Sequence, residues 1–89
     1  MCEIDDAGAR KHASALRRAA ERFCQEHPEH SFLISGTCAA EGAPLMVNVF
    51  YKGDAYGGYP LPIAPTEDME SAIFAALEKW LSARITGRR

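Results

Sequence analysis

The sequence predicts an α+β domain, with a helix, a β-hairpin, a possible edge strand and a second helix. Both helices are expected on one face of a small antiparallel sheet. Two observations carry this. Apolar residues recur at helical spacing within residues 6–26 and 66–86. Between them, apolar residues alternate with period two on both sides of Glu41-Gly42. The chain of 89 residues suffices for one domain with a modest core. The ends, residues 1–5 and 87–89, are expected to be flexible.

The first helix is placed at 6–26, with Asp5 or Asp6 as N-cap. Ala9, Ala13, Leu16, Ala20 and Phe23 form its inner face. Lys11, Arg18 and Arg22 form a basic stripe opposite, with Arg10 and Arg17 beside it. His27-Pro28 ends the helix, because the residue before proline is pushed out of the α region.

Residues 31–40 and 44–52 read as the two hairpin strands, and Gly42 supplies the positive φ of a tight turn. Facing Ala40 with Ala43 brings Cys38 opposite Leu45, Gly36 opposite Val47, Ile34 opposite Val49 and Phe32 opposite Tyr51. Those residues make the core side. The other side carries Leu33, Ser35, Thr37, Met46, Asn48, Phe50 and Lys52, with Leu33 and Phe50 as an exposed apolar pair.

Residues 53–65 form a Tyr/Gly/Pro-rich loop or edge strand. Within YPLPI, Pro60 and Pro62 leave one edge without N–H groups, which suits an outer strand. The second helix is placed at 66–86 with Thr66 as N-cap. Met69, Ile73, Ala76, Trp80 and Ala83 form one apolar stripe, and Phe74, Leu77, Leu81 and Ile85 a second. Together they exceed the ~100° arc that one buried face needs. Two strands also cannot cover two helices packed ~8–10 Å apart. Either YPLPI adds a strand or two chains join, and the broad apolar arc of the second helix with the Leu33–Phe50 pair predicts a homodimer.

Composition excludes several classes. Net charge is −2, against the basic excess of a nonspecific nucleic-acid binder. No apolar run approaches the ~20 residues of a membrane helix, and MCEIDDAGAR lacks the apolar region of a secretory signal. Three cysteines without framework spacing point to a reducing compartment, the cytoplasm.

The segment CQEHPEHSFLISGTC gathers Cys24, His27, His30 and Cys38. A strand from 31 to 38 would set His30 and Cys38 about 26 Å apart, far beyond the ~2 Å bonds of a shared zinc. Core cysteines and turn histidines explain the stretch better, so no metal site is expected. Neither Cys24 nor Cys38 lies at a helix start that would activate a thiol. The acidic pairs Asp5/Asp6 and Glu67/Asp68 lie at helix starts, where capping explains them. GDAYGG lacks the lysine of a phosphate loop. No catalytic set and no cofactor is expected.

What remains is a non-enzymatic protein–protein interaction module, such as a small acidic inhibitor or adaptor. Phage and mobile-element antagonists of host defence systems belong to that broad class. The expected partner contacts are Tyr56, Tyr59, Leu33, Phe50, Phe74 and Leu81, because tyrosine, proline and surplus apolar surface suit contact faces. A first alternative is nucleic-acid binding through Lys11, Arg18 and Arg22. There the order of elements is similar to the double-stranded-RNA-binding domain, but the second helix opens on the acidic TEDMES. A second alternative is a small-ligand or enzymatic dimer, with its site near Tyr51, Tyr56 and the histidines.

Overall fold

The computed structural model describes residues 2–40, 42–51 and 59–86, with side chains of the last helix described to Ala83. In chain order the elements are β1 (Cys2–Gly8), a 3-10 turn (Arg10–His12), α1 (Ala13–Glu26), β2 (Phe32–Cys38), β3 (Leu45–Tyr51), β4 (Tyr59–Ile63) and α2 (Met69–Thr86). The class is α+β, with both helices on one face of the sheet. The sheet order is β1-β2-β3-β4. β1 runs parallel to β2, and the other two pairings are antiparallel.

The expected antiparallel sheet is therefore a mixed one, and the correction comes from β1. Residues 1–5 are expected to be flexible and the helix to start at residue 6. Instead Cys2, Ile4 and Asp6 alternate with exposed Glu3 and Asp5 along a strand. The chain turns at Arg10, whose positive φ of 57° breaks the helical run. Its guanidinium Nε donates to the Cys38 carbonyl at 2.8 Å, which holds this turn against the end of β2. Asp5 and Asp6 are thus strand residues and not caps.

The hairpin has the expected register. Phe32 pairs with Tyr51, Ile34 with Val49, Gly36 with Val47 and Cys38 with Leu45. The Ala43 amide donates to the Ala40 carbonyl at 3.0 Å, closing the turn. Gly42 takes φ 86° there, a backbone region that favours glycine. YPLPI is the edge strand β4, paired through Val49–Tyr59, Val47–Leu61 and Leu45–Ile63.

Four strands span about 15 Å, enough to back two helices packed ~8–10 Å apart. The need for a second copy to complete the sheet is thereby removed. The core lies between sheet and helices: Phe32, Ile34, Leu45, Val47 and Val49 meet Leu16, Ala19, Ala20 and Phe23 of α1 and Ile73 and Leu77 of α2, all fully buried. The buried line of α2 is Met69, Ile73, Leu77 and Leu81. It draws on both stripes expected from the sequence.

Helix α2 starts three residues later than expected, and its cap is Asp68 rather than Thr66. The Asp68 carboxylate accepts the Ser71 amide at 3.1 Å and the Ser71 hydroxyl at 2.8 Å. These bonds hold the Asp68 carboxyl below its ordinary value of 3.8. A depressed carboxyl adds stability above its unfolded-state value and loses it as pH falls through the folded-state value. Asp68→Ala is therefore expected to lower the melting temperature at neutral pH. A thermal-unfolding series should show its gap to the wild type closing as pH falls below 3.8.

Candidate functional site

With both helices on one face, the other face of the sheet is left without a covering layer among the described residues. The period of two sends Leu33, Ser35 and Thr37 outward from β2, and Met46, Asn48 and Phe50 outward from β3. Pro60 and Pro62 point the same way from β4, and Glu3 and Asp5 from β1. Ladder pairing aligns these side chains: Leu33 faces Phe50, Met46 faces Pro62, and Asn48 faces Pro60. Phe50 is 40% exposed, and among the described residues it is the one large apolar side chain left in the open. Glu3 and Asp5 border this apolar strip on the β1 side, opposite Leu33 and Ser35.

Both edges of the sheet are guarded. On β4 the prolines supply no N–H to an added strand. On β1 the Arg17 guanidinium donates to the Ile4 carbonyl at 3.4 Å and to Asp6 at 2.8 Å. That hydrogen bond and the nearby charge hold the Asp6 carboxyl below the usual carboxylate range. Growth of the sheet by strand addition is disfavoured at either edge, and the outer face is left partly exposed.

A second constellation sits where α1 ends and β2 begins. His27 Nε2 lies 2.9 Å from Glu78 of α2, and His30 Nδ1 lies 2.8 Å from the Tyr51 hydroxyl. Phe32 packs against both His30 and Tyr51, and Trp80 against Phe32 and Tyr59. Sequence separates His27 from Glu78 by 51 residues, so no local motif announces the pair.

The expected site residues are distributed as follows. Leu33 and Phe50 lie on the outer face as expected. Tyr59 is half-buried against Trp80. Phe74 is half-buried under the Arg22 guanidinium, which sits 4.1 Å from its ring centre. Leu81 is 3% exposed and belongs to the core, so its assignment as a contact residue is withdrawn. Tyr56 lies outside the described residues.

The basic stripe is largely matched by carboxylates. Arg18 pairs with Glu70 at 2.9 Å, tying α1 to α2. Arg17 pairs with Asp6 at 2.8 Å, and Arg22 with Glu26 at 3.6 Å. Lys11 is exposed. A phosphate backbone would have to displace these acids, which weakens the case for nucleic acid.

Cys24, expected to be a free thiol, is disulfide-bonded to Cys2. This corrects the reading of all three cysteines as reduced. Cys38 is free, buried at the far end of β2, and is not brought to His27 and His30. Cys2 falls in the stretch expected to be flexible, so the sequence does not pair it with Cys24. Its alternation with Ile4 was the available signal. No helix among the described residues is long and apolar enough to cross a membrane.

No family model, curated protein or solved structure matches this chain.

Proposed function

We propose that the chain is a non-enzymatic protein–protein interaction module, of the small acidic inhibitor or adaptor kind, which docks a partner protein on the outer face of its sheet. The observation that carries this is Phe50, 40% exposed and paired with Leu33 on a face that neither helix covers. An aromatic side chain flanked by apolar neighbours is the usual anchor of such a contact. Glu3 and Asp5 at the border fit a partner whose apolar patch is edged by lysine or arginine. A cytoplasmic setting belongs to the proposal, and the Cys2–Cys24 bond then cycles with the redox state instead of persisting.

The test is capture from native lysate with the tagged wild type, Phe50→Asp, and Arg18→Glu plus Arg22→Glu. A stoichiometric protein held by the wild type and the arginine variant, but not by Phe50→Asp, supports the reading. Loss of an anchor is expected to weaken binding by about 30-fold or more. The melting temperature of Phe50→Asp should fall far less than on loss of a core ring, because the side chain is 40% exposed, and capture is compared at a temperature where both proteins are folded. Equal capture by Phe50→Asp would sink the outer-face reading. An eluate of nucleic acid lost with the arginine variant would instead favour α1. A wild-type mass of two chains by light scattering, reverting to one in Phe50→Asp, would make a second copy the occupant.

The pairs His27–Glu78 and His30–Tyr51 favour one other reading, a small-ligand site at that end of the molecule. Thermal stabilisation by a metabolite or metal, lost in His30→Phe, would bring it forward.

A further inference from the structure

Cys2 opens β1, and Cys24 lies in the last turn of α1. Their Cα atoms are 6.2 Å apart, inside the ~4.4–6.8 Å range that a disulfide spans. The bond joins two elements 22 residues apart in sequence. Both cysteines are only half-buried, and both line an open cavity of about 240 Å³ with Gln25, Pro28 and His30. The cavity is smaller than the ~300–1,000 Å³ usual for drug-sized ligands, and its size suits a small thiol. Cys38 cannot compete for the bond. It ends β2, whereas Cys2 pairs with Phe32 at the start of β2, about 20 Å away along the strand.

What the bond holds is an edge strand of the sheet. No residue of Cys2–Gly8 is fully buried. Its pairing to β2 is parallel, and its register breaks between Asp5 and Gly8. Parallel ladders are slightly less stable per residue than antiparallel ones. Beside that ladder, β1 is tied to α1 by the disulfide and by Arg17, and Ile4 packs against the core.

We propose that Cys2–Cys24 is a redox site addressed by small thiols through this cavity, and that its reduction releases β1 and uncovers the edge of β2. The chemistry is thiol–disulfide exchange. An external thiolate bonds to one of the two sulfurs as the Cys2–Cys24 bond breaks. The other cysteine leaves as a thiolate and takes a proton from solvent. A second external thiol then attacks the mixed disulfide, freeing the remaining cysteine. Two external thiols are oxidised to one disulfide while the protein bond is reduced to two thiols. The proposal rests on the disulfide and its cavity and needs no particular partner at the sheet face, although release of β1 would carry Glu3 and Asp5 away from that face.

The test uses the full chain equilibrated in glutathione buffers from fully oxidised to fully reduced. Thiols are counted by alkylation under denaturing conditions and intact mass. One free thiol is expected in the oxidised protein and three in the reduced protein, with a reversible transition between them. Amide hydrogen exchange within residues 3–7 should rise at least tenfold on reduction, while β3 keeps its protection. Cys38→Ser should retain the whole response, and Cys2→Ser should behave as the reduced form in every buffer. Three free thiols under oxidised glutathione would overturn the proposal. So would equal exchange of β1 in the two states, and that comparison needs only the wild type, even if Cys2→Ser fails to fold.

Discussion

Phe23→Ala is expected to cost about 3–5 kcal/mol, the range for removing a fully buried aromatic ring. Phe23 has no exposed surface and packs, tilted, against Phe32 and His27, with ring centres 4.9 Å apart in each case. It is the point where α1 meets both β2 and the turn that follows the helix. A domain of 89 residues holds a total of only about 4–13 kcal/mol. The variant should therefore sit close to the unfolding threshold at 37 °C. Urea denaturation checks this: the midpoint should fall steeply with the slope unchanged. A midpoint within error of the wild type would mean that α1 does not pack as described.

The contrast with Phe50 is the useful one. Both are phenylalanines in well-formed elements, and only exposure separates them. Substitution at Phe23 should reach function through folding, whereas substitution at Phe50 should reach function without it. This separation allows the outer face to be tested at all.

How much of this was legible in the sequence varies with the range of the interaction. The β2–β3 hairpin was legible to the residue pair, because Gly42 marks the turn and strict alternation fixes which side is buried. The strand β4 was legible only in part: Pro60 and Pro62 suit an outer strand with its bare side outward, but they suit a loop as well, and the pairing with β3 decides between the two. The strand β1 was not. Its partner β2 begins 30 positions later in the chain, beyond the whole of α1. Glu3, Asp5 and Asp6 are poor strand residues and good helix-start residues, so local preference pointed the wrong way. The helical period of Ala9, Ala13 and Leu16 also continues through the 3-10 turn, hiding the break at Arg10.

The candidate site divides in the same manner. Leu33 and Phe50 follow from strand parity and were legible. Leu81 was not, because α2 is apolar around most of its circumference, and only tertiary packing selects the inward line. Part of the surplus apolar surface is taken up within the chain, by Arg22 over Phe74 and by Trp80 against Phe32 and Tyr59. The basic stripe was legible as residues, but its neutralisation was not. Arg18 meets Glu70 across 52 residues of sequence, and only the docking of α2 on α1 brings them together.

The closest approach of helix to sheet gives the second large effect. Gly36 stands in the middle of β2, directly beneath Leu16 of α1. A Cβ at Gly36 would lie 2.6 Å from Leu16 Cδ2, with Ala9 Cβ and Leu45 Cδ1 each 3.5 Å away. Leu16 is fully buried, so its methyl can yield only against packed neighbours. Gly36→Ala should therefore cost about 1–3 kcal/mol by overpacking. Leu16→Ala should cost about 2–5 kcal/mol by leaving a void at the same spot. The two changes act on one volume, so they should compensate. The double variant Gly36→Ala plus Leu16→Ala is expected to be more stable than the sum of the single losses by about 1 kcal/mol or more. Equilibrium unfolding of all four proteins measures that coupling. Losses that add to within about 0.5 kcal/mol, the behaviour of distant sites, would show that α1 does not rest on β2 at this glycine.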